Sequence, residues 1–309
     1  MSAALDRFDA CEICGTRDWS AVYEGAVRDG AFGNHRDDAT VAACADCGAH
    51  RLDEFHCLTE DDYESDAYRE HLEQGTDLTA HFAGHDHLQL HALNAIHPHR
   101  LRDLLVADVG ASGGSFLDHV RGIAGRTIAI EPARHFQTSL AARGYETYAY
   151  AADAADTLGP IADVAVSLQV IEHVRDPRAF LVGIRALMKP DGRVVISTPN
   201  RADVLLDLLP DAFPAFFYRV AHRWYFDATS LARCAAQAGF AVDETRHLHR
   251  YGMANALLWL RDRRPKGDAP LAGIDSLADG FWKSYLEASG RSDTLFMTLN
   301  PSAGHGNRD

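Results

Sequence analysis

From Leu104 onward, short apolar runs alternate with amphipathic stretches. A chain of β–α–β units needs this alternation to bury a parallel sheet on both faces. The pattern predicts strands over Leu104–Val109, Thr127–Ile130, Glu146–Tyr150, Ile161–Leu168 and Arg193–Ser197. Helices are expected between them, over Phe116–Ile123, Ala133–Arg143 and Pro177–Met188. Lys189-Pro190-Asp191-Gly192 reads as the stop signal of the last of these. A further helix over Ala228–Ala238 closes at Gly239, and strands near Ala241–Leu248 and Thr294–Leu299 complete the sheet. The expected class is α/β.

The first strand runs into a glycine-rich turn, Asp108-Val-Gly110-Ala-Ser112-Gly-Gly114, which opens a helix. Glycine belongs where backbone must approach a ligand, and a helix start offers amides to an anion. A dinucleotide fingerprint would place glycine at 112 and 115, and both are serine. Glu131 ends the second strand, 21 residues after Gly110, where an acid can accept from both ribose hydroxyls. Asp153 in "AADAAD" is the candidate for the adenine edge, with Asp156 competing.

Residues 1–57 have a different character. Cys11-x2-Cys14-x29-Cys44-x2-Cys47 brings two thiolate pairs together, each followed by glycine (Gly15, Gly48). Four thiolates close a tetrahedral shell, so the reading is a structural zinc ribbon without catalytic duty. Cys57 and Cys234 stand alone as small core residues. Residues 58–100 form a helical connector. Its His81, His85, His87 and His91 recur at helical spacing and read as a solvated, titratable face rather than a second metal site.

Taken as a series, "DVGASGGSF", "AIEPA", "VAVSLQVIEHVRDPRAFL", "LMKPDGRVVISTPN" and "HRWYFDATSLARCAAQAGF" resemble the successive motifs of class I S-adenosylmethionine-dependent methyltransferases. They are most like the branch holding the ubiquinone and sugar methyltransferases, and the likeness covers about Leu104 to Phe240. The usual middle glycine of the turn is Ser112 here. The ribbon followed by "YESDAY" also resembles methyltransferases found with surface-polysaccharide and deoxysugar genes.

The resemblance implies a Rossmann-like seven-stranded sheet behind the zinc ribbon, with the methyltransferase domain over 101–300. It implies S-adenosylmethionine held by Asp108, Gly110, Ser112, Gly114, Glu131, Asp153 and Gln169. Methyl transfer to oxygen calls for a base beside the acceptor, over the carboxyl ends of the strands. His222 in "HRWYF" is the first candidate and His173 the second, each with an alternative role in holding its loop. Tyr63, Tyr68 and Asn200 are candidates for contacting the acceptor.

Residues 251–290 form an insertion suited to a lid or a contact between two copies, and 301–309 a polar tail. The expected acceptor is a small, sugar-like molecule, with a quinone or phenolic acceptor as an alternative. The net charge of -14 and a ribbon with no lysine and more acids than arginines argue against RNA, the competing reading. No apolar run is long enough for a membrane span and no export signal stands at Met1, so a cytoplasmic enzyme is expected. The chain also stops before the extra C-terminal domain of deoxysugar C-methyltransferases, which favours O-transfer.

Overall fold

A computed structural model of the chain describes residues 5–65 and 77–302. Its strands are β1 (Trp19–Arg28), β2 (His35–Cys44), β3 (His50–Leu52), β4 (Leu105–Val109), β5 (Arg126–Ile130), β6 (Glu146–Tyr148), β7 (Ala162–Leu168), β8 (Met188–Pro199), β9 (Trp224–Tyr225), β10 (Phe240–Leu248) and β11 (Thr294–Pro301). Seven of them form one sheet in the order β10-β11-β8-β7-β4-β5-β6. The five strands from β8 to β6 are parallel, and β11 runs antiparallel between β8 and β10. This is a Rossmann-like seven-stranded sheet of the kind the resemblance implies.

The apolar runs are nearly continuous because both faces are covered. Side chains alternate between faces along each strand. In β7, Ala165 joins one core cluster while Val164 and Val166 join the other. The chain builds outward from β4 through β5 to β6, then returns to place β7 on the other side of β4. That reversal opens a crevice at the carboxyl ends of β4 and β7, where ligands bind in such sheets.

Local chemistry sets the helix boundaries. Asp176 caps the helix Pro177–Leu187 by accepting from Ala179 N at 2.8 Å, and Pro177 sits in its first turn. Asp227 and Ser230 form a reciprocal cap on the helix Ala228–Gln237. The Lys189–Gly192 stop signal does end the preceding helix, but the chain continues at once into β8, with a register shift between Ala162 and Val164. A helix that was not expected, Ala151–Leu158, rich in the best helix former, occupies the stretch that carries Asp153.

The amino-terminal part is a second sheet, β1-β2-β3-β9, antiparallel throughout. Its last strand, β9, comes from far along the chain. Cys11, Ile13, Cys44, Cys47 and Ala49 pack in the same apolar cluster as Trp224, Phe226 and Leu231. Among the described residues no helix is long and apolar enough to cross a membrane.

Candidate active site

The crevice between β4 and β7 opens into a cavity of about 1000 Å³. Ligand pockets measure roughly 300–1,000 Å³, so this one stands at the top of that range. Asp108, Gly110, Ser112 and Glu131 line one end of it.

The glycine turn is not a bare amide cradle. Gly110 N and Ala111 N both donate to Ile130 O, at 2.8 and 3.1 Å, which ties the turn to the end of β5. Ser112 N donates to one Glu131 oxygen at 2.7 Å and Ala133 N to the other at 2.9 Å, fixing the carboxylate towards the cavity. Gly110 has φ +85°, and a Cβ there would lie 2.3 Å from Val170 Cγ2. Ser112, standing for the usual glycine, still takes the left-handed conformation at φ +50°. Burial, reinforced by the charge of Glu131, pushes the Asp108 carboxyl up to about 8. Two carboxyl groups facing one cavity with hydroxyl-accepting oxygens fit a cationic, ribose-bearing ligand, which S-adenosylmethionine is.

His81 closes this end from the connector helix Leu78–His85. The expectation of a solvated histidine face fails at His81, which is 4% exposed, whereas His87 and His91 are exposed as expected. Gly113 allows the approach, since a Cβ would stand 2.6 Å from His81 Cδ2. The ring stacks on His85 with centroids 4.1 Å apart, and its Nε2 lies 3.4 Å from Ser112 Oγ. The spacing had placed His81 and His85 on one face; only the docking of the helix determines that this face looks inward.

At the middle of the cavity Glu172, His173 and His222 converge, with one ligand-type atom from each lying within 4.8 Å of the others. Such a trio can share a proton or hold a divalent cation. His173 Nδ1 is 2.5 Å from Ala221 O, and a carbonyl only accepts, so Nδ1 carries the hydrogen and the lone pair sits on Nε2. Tyr63 donates its hydroxyl to the same carbonyl at 2.5 Å. The His222 ring meets His173 edge-on at 4.8 Å, and its Nδ1 has no hydrogen-bond partner among the described residues. Burial lowers His173 to about 4 and holds His222 well below its ordinary range, so both are neutral at pH 7. Burial raises Glu172 to about 7.

The far end is aromatic. Phe213, Phe216 and Phe217 from the segment after β8 meet Trp259 and Trp282 of the 251–290 insertion. Trp259 packs edge-on against Phe213 and Phe216, both at 5.1 Å. The polar groups of that wall are engaged with one another: Arg250 Nε donates to Asp293 at 2.6 Å and Asp293 N to His249 at 3.1 Å. Aromatic residues spread over three segments carry no local sequence signal, and of them only the 251–290 insertion was expected to be able to cover the acceptor.

Of the anticipated residues, Asp108, Gly110, Ser112, Glu131, Gln169, Tyr63, His173 and His222 come together around the cavity. Three do not line it. Gly114 serves the turn, at φ +88° against Leu140. Asp153 is exposed in the first turn of the helix Ala151–Leu158. Asn200 is buried and donates to Gly290 O and Ser292 O while accepting from Ala202 N, so its amide is committed to structure. Tyr68 lies outside the described residues.

In the ribbon, Cys11 and Cys47 sulfurs are 3.7 Å apart and those of Cys14 and Cys44 3.4 Å, with all four within 4.8 Å and none in a disulfide. Zinc–sulfur bonds of about 2.3 Å give tetrahedral edges of about 3.8 Å, so the four thiols fit that ion.

Residues 85–245 match the family model described as a methyltransferase domain. A ubiquinone biosynthesis O-methyltransferase from Cupriavidus pinatubonensis is 31% identical over 46% of this chain and 61% of its own length. One from Cereibacter sphaeroides is 33% identical over 32% of this chain and 42% of its own, so the chain spans between two fifths and two thirds of these relatives. A solved S-adenosylmethionine-dependent methyltransferase from Archaeoglobus fulgidus overlays 71% of this chain and 95% of its own, at 15% identity and a TM-score of 0.48.

Proposed function

We propose that this chain, which belongs to the methyltransferase-domain family, is a class I S-adenosylmethionine-dependent enzyme that methylates a hydroxyl oxygen on an apolar, ring-bearing acceptor of the phenol or quinol class. The observation that carries this reading is the Glu172–His173–His222 trio in a cavity that also has an aromatic wall of Phe213, Phe216, Trp259 and Trp282, with charged residues such as Arg28, Asp203 and Arg219 elsewhere in its lining. A flat aromatic ring packs against such walls, and a single hydroxyl meets the trio. A sugar presents several hydroxyls and needs as many partners, whereas the polar wall at Arg250 and Asp293 is self-satisfied. The names of the curated relatives point the same way, which moves the acceptor away from the sugar first expected.

S-adenosylmethionine, when bound, supplies an electrophilic methyl group on a sulfonium. Glu131 is set to accept the ribose hydroxyls, and a bound cation would draw the Asp108 carboxyl, raised by burial, back towards its ionised form. The neutral imidazoles of His173 and His222 are ready to take the acceptor's proton, His173 through Nε2. Glu172, ionised above about pH 7, stabilises the imidazolium that results. The aromatic wall excludes water that would compete for the methyl group. Asp153, Gly114 and Asn200 carry no part of this scheme. In the same reading Cys11, Cys14, Cys44 and Cys47 hold a structural zinc.

The test is a transfer assay with labelled methyl donor over catechols and quinols, nucleotide sugars and RNA. Label in the phenolic acceptors supports the reading. Label confined to nucleotide sugars or to RNA replaces it.

A further inference from the structure

The segment carrying His222 is held from outside the methyltransferase sheet. Its backbone is bonded to the ribbon in sequence order: Arg28 N donates to Tyr218 O at 2.9 Å, and Val220 N returns a bond to Arg28 O at 3.0 Å. Leu58 N donates to Val220 O at 3.0 Å and Leu52 N to Arg223 O at 2.9 Å. β3 then pairs with β9, Arg51 opposite Trp224 and His50 opposite Tyr225.

Beneath these bonds runs a chain of charges. Glu12, inside the first Cys-x-x-Cys, lies 3.2 Å from the Arg51 guanidinium. Arg51 donates to Glu54 at 2.9 Å, and Arg223 clasps both oxygens of the same carboxylate. The two arginine side chains are 4% and 6% exposed, while the Glu54 side chain that joins them is 51% exposed, so the pairing is buried on the arginine side alone. Arg223 is next to His222, and its own N–H donates to Glu172 O at 2.8 Å. One short path therefore connects the thiol cluster to all three members of the trio.

We propose that the ribbon is the positioning device for His222, and that Arg51 and Glu54 transmit the geometry of the metal-bound cysteine loops to it. The ribbon on this account is neither an acceptor-binding appendage nor a removable module. It supplies three strands of the sheet whose fourth strand, β9, follows the candidate base by two residues. The inference rests on metal occupancy of the four cysteines and not on the identity of the acceptor, so its test needs no acceptor.

Amide exchange by mass spectrometry on the full chain reads it directly. Stripping zinc with a chelator, or Cys44→Ser, raises exchange over 218–225 by about tenfold or more, while 105–130 stays protected and S-adenosylmethionine affinity changes by less than about threefold. Glu54→Gln and Arg51→Met spare the cysteines and keep zinc bound. They give the same local rise and shift the imidazole nitrogen resonances of His222, which a remote structural defect would not do; Glu54→Asp recovers part of the protection. Unchanged protection over 218–225 in Glu54→Gln overturns the proposal, whatever happens in Cys44→Ser. So does equal loss of protection over 105–130 in both spared-cysteine variants.

Discussion

Replacing Glu172 with glutamine should make the protein more stable, and increasingly so as pH rises. The carboxyl is 1% exposed, Oε2 accepts from Thr198 Oγ1 at 3.1 Å, and Oε1 has no hydrogen-bond partner among the described residues. Burial lifts it from an ordinary 4.5 to about 7. At about 1.36 kcal/mol per tenfold, that difference amounts to about 3 kcal/mol. The sign follows from which state binds the proton more tightly. Below pH 4.5 the group is protonated folded and unfolded, and nothing is lost. Between 4.5 and about 7 the unfolded chain gives up its proton first, so stability falls with rising pH. Above about 7 the whole cost is present. Glutamine keeps the size and the acceptor for Thr198, cannot ionise, and offers amide hydrogens to the neighbouring imidazoles. Urea unfolding followed by circular dichroism should find the two proteins equal within about 0.5 kcal/mol at pH 4.5 and glutamine ahead by about 3 kcal/mol at pH 8, with equal slopes. The histidine contributions are common to both proteins and cancel to first order. A gap independent of pH, or a glutamine variant weaker at pH 8, would refute the argument. Methyl transfer should fall in the same variant, the usual cost of relieving a strained site.

Gly110→Ala places a side chain at φ +85° and 2.3 Å from Val170; the left-handed conformation alone costs about 1–2 kcal/mol, and calorimetry should find S-adenosylmethionine bound at least about tenfold more weakly, with Val170→Ala restoring only the steric part. Asn200→Ala strands the carbonyls of Gly290 and Ser292 and should destabilise by about 2–4 kcal/mol while leaving cofactor affinity alone; a normal melting curve with a raised acceptor KM would return Asn200 to the acceptor site. Trp259→Ala removes the edge contacts to Phe213 and Phe216 and should raise the KM for a phenolic acceptor at least about tenfold without altering cofactor binding, as steady-state kinetics would check.

What could be read from the sequence follows the range of the interactions. β4, β7 and β8 announce themselves because a strand buried on both faces is apolar along its whole length. Asp108, Gly110 and Glu131 sit at fixed distances from those strands, so their placement came with them. The helix Ala151–Leu158 was hidden by its own composition: "AADAAD" offers acids a ligand could use and alanines a helix prefers, and the helix won. β9 is two residues long and owes its existence to β3, a partner that no periodicity can reveal. Glu172 could be seen beside His173, but its burial, from which its chemistry derives, depends on the packing of Thr198 and the 219–224 segment.

The two halves of the cavity therefore carry different kinds of information. The donor half is built from the carboxyl ends of β4, β5 and β7, inside the 85–245 span that matches the family. The acceptor half draws on Trp259 and Trp282, which lie beyond that span. The trio, although within the span, is positioned by ribbon residues that precede it. Likeness to other methyltransferases over the shared span thus speaks more firmly for the methyl donor than for the acceptor. Acceptor choice should accordingly follow the 251–290 insertion: exchanging its two helices, Met253–Asp262 and Ser276–Ala288, should alter which hydroxyl is methylated while cofactor affinity stays within about threefold. Cofactor affinity falling together with acceptor choice would mean instead that the halves are one cooperative unit, held together through the aromatic wall.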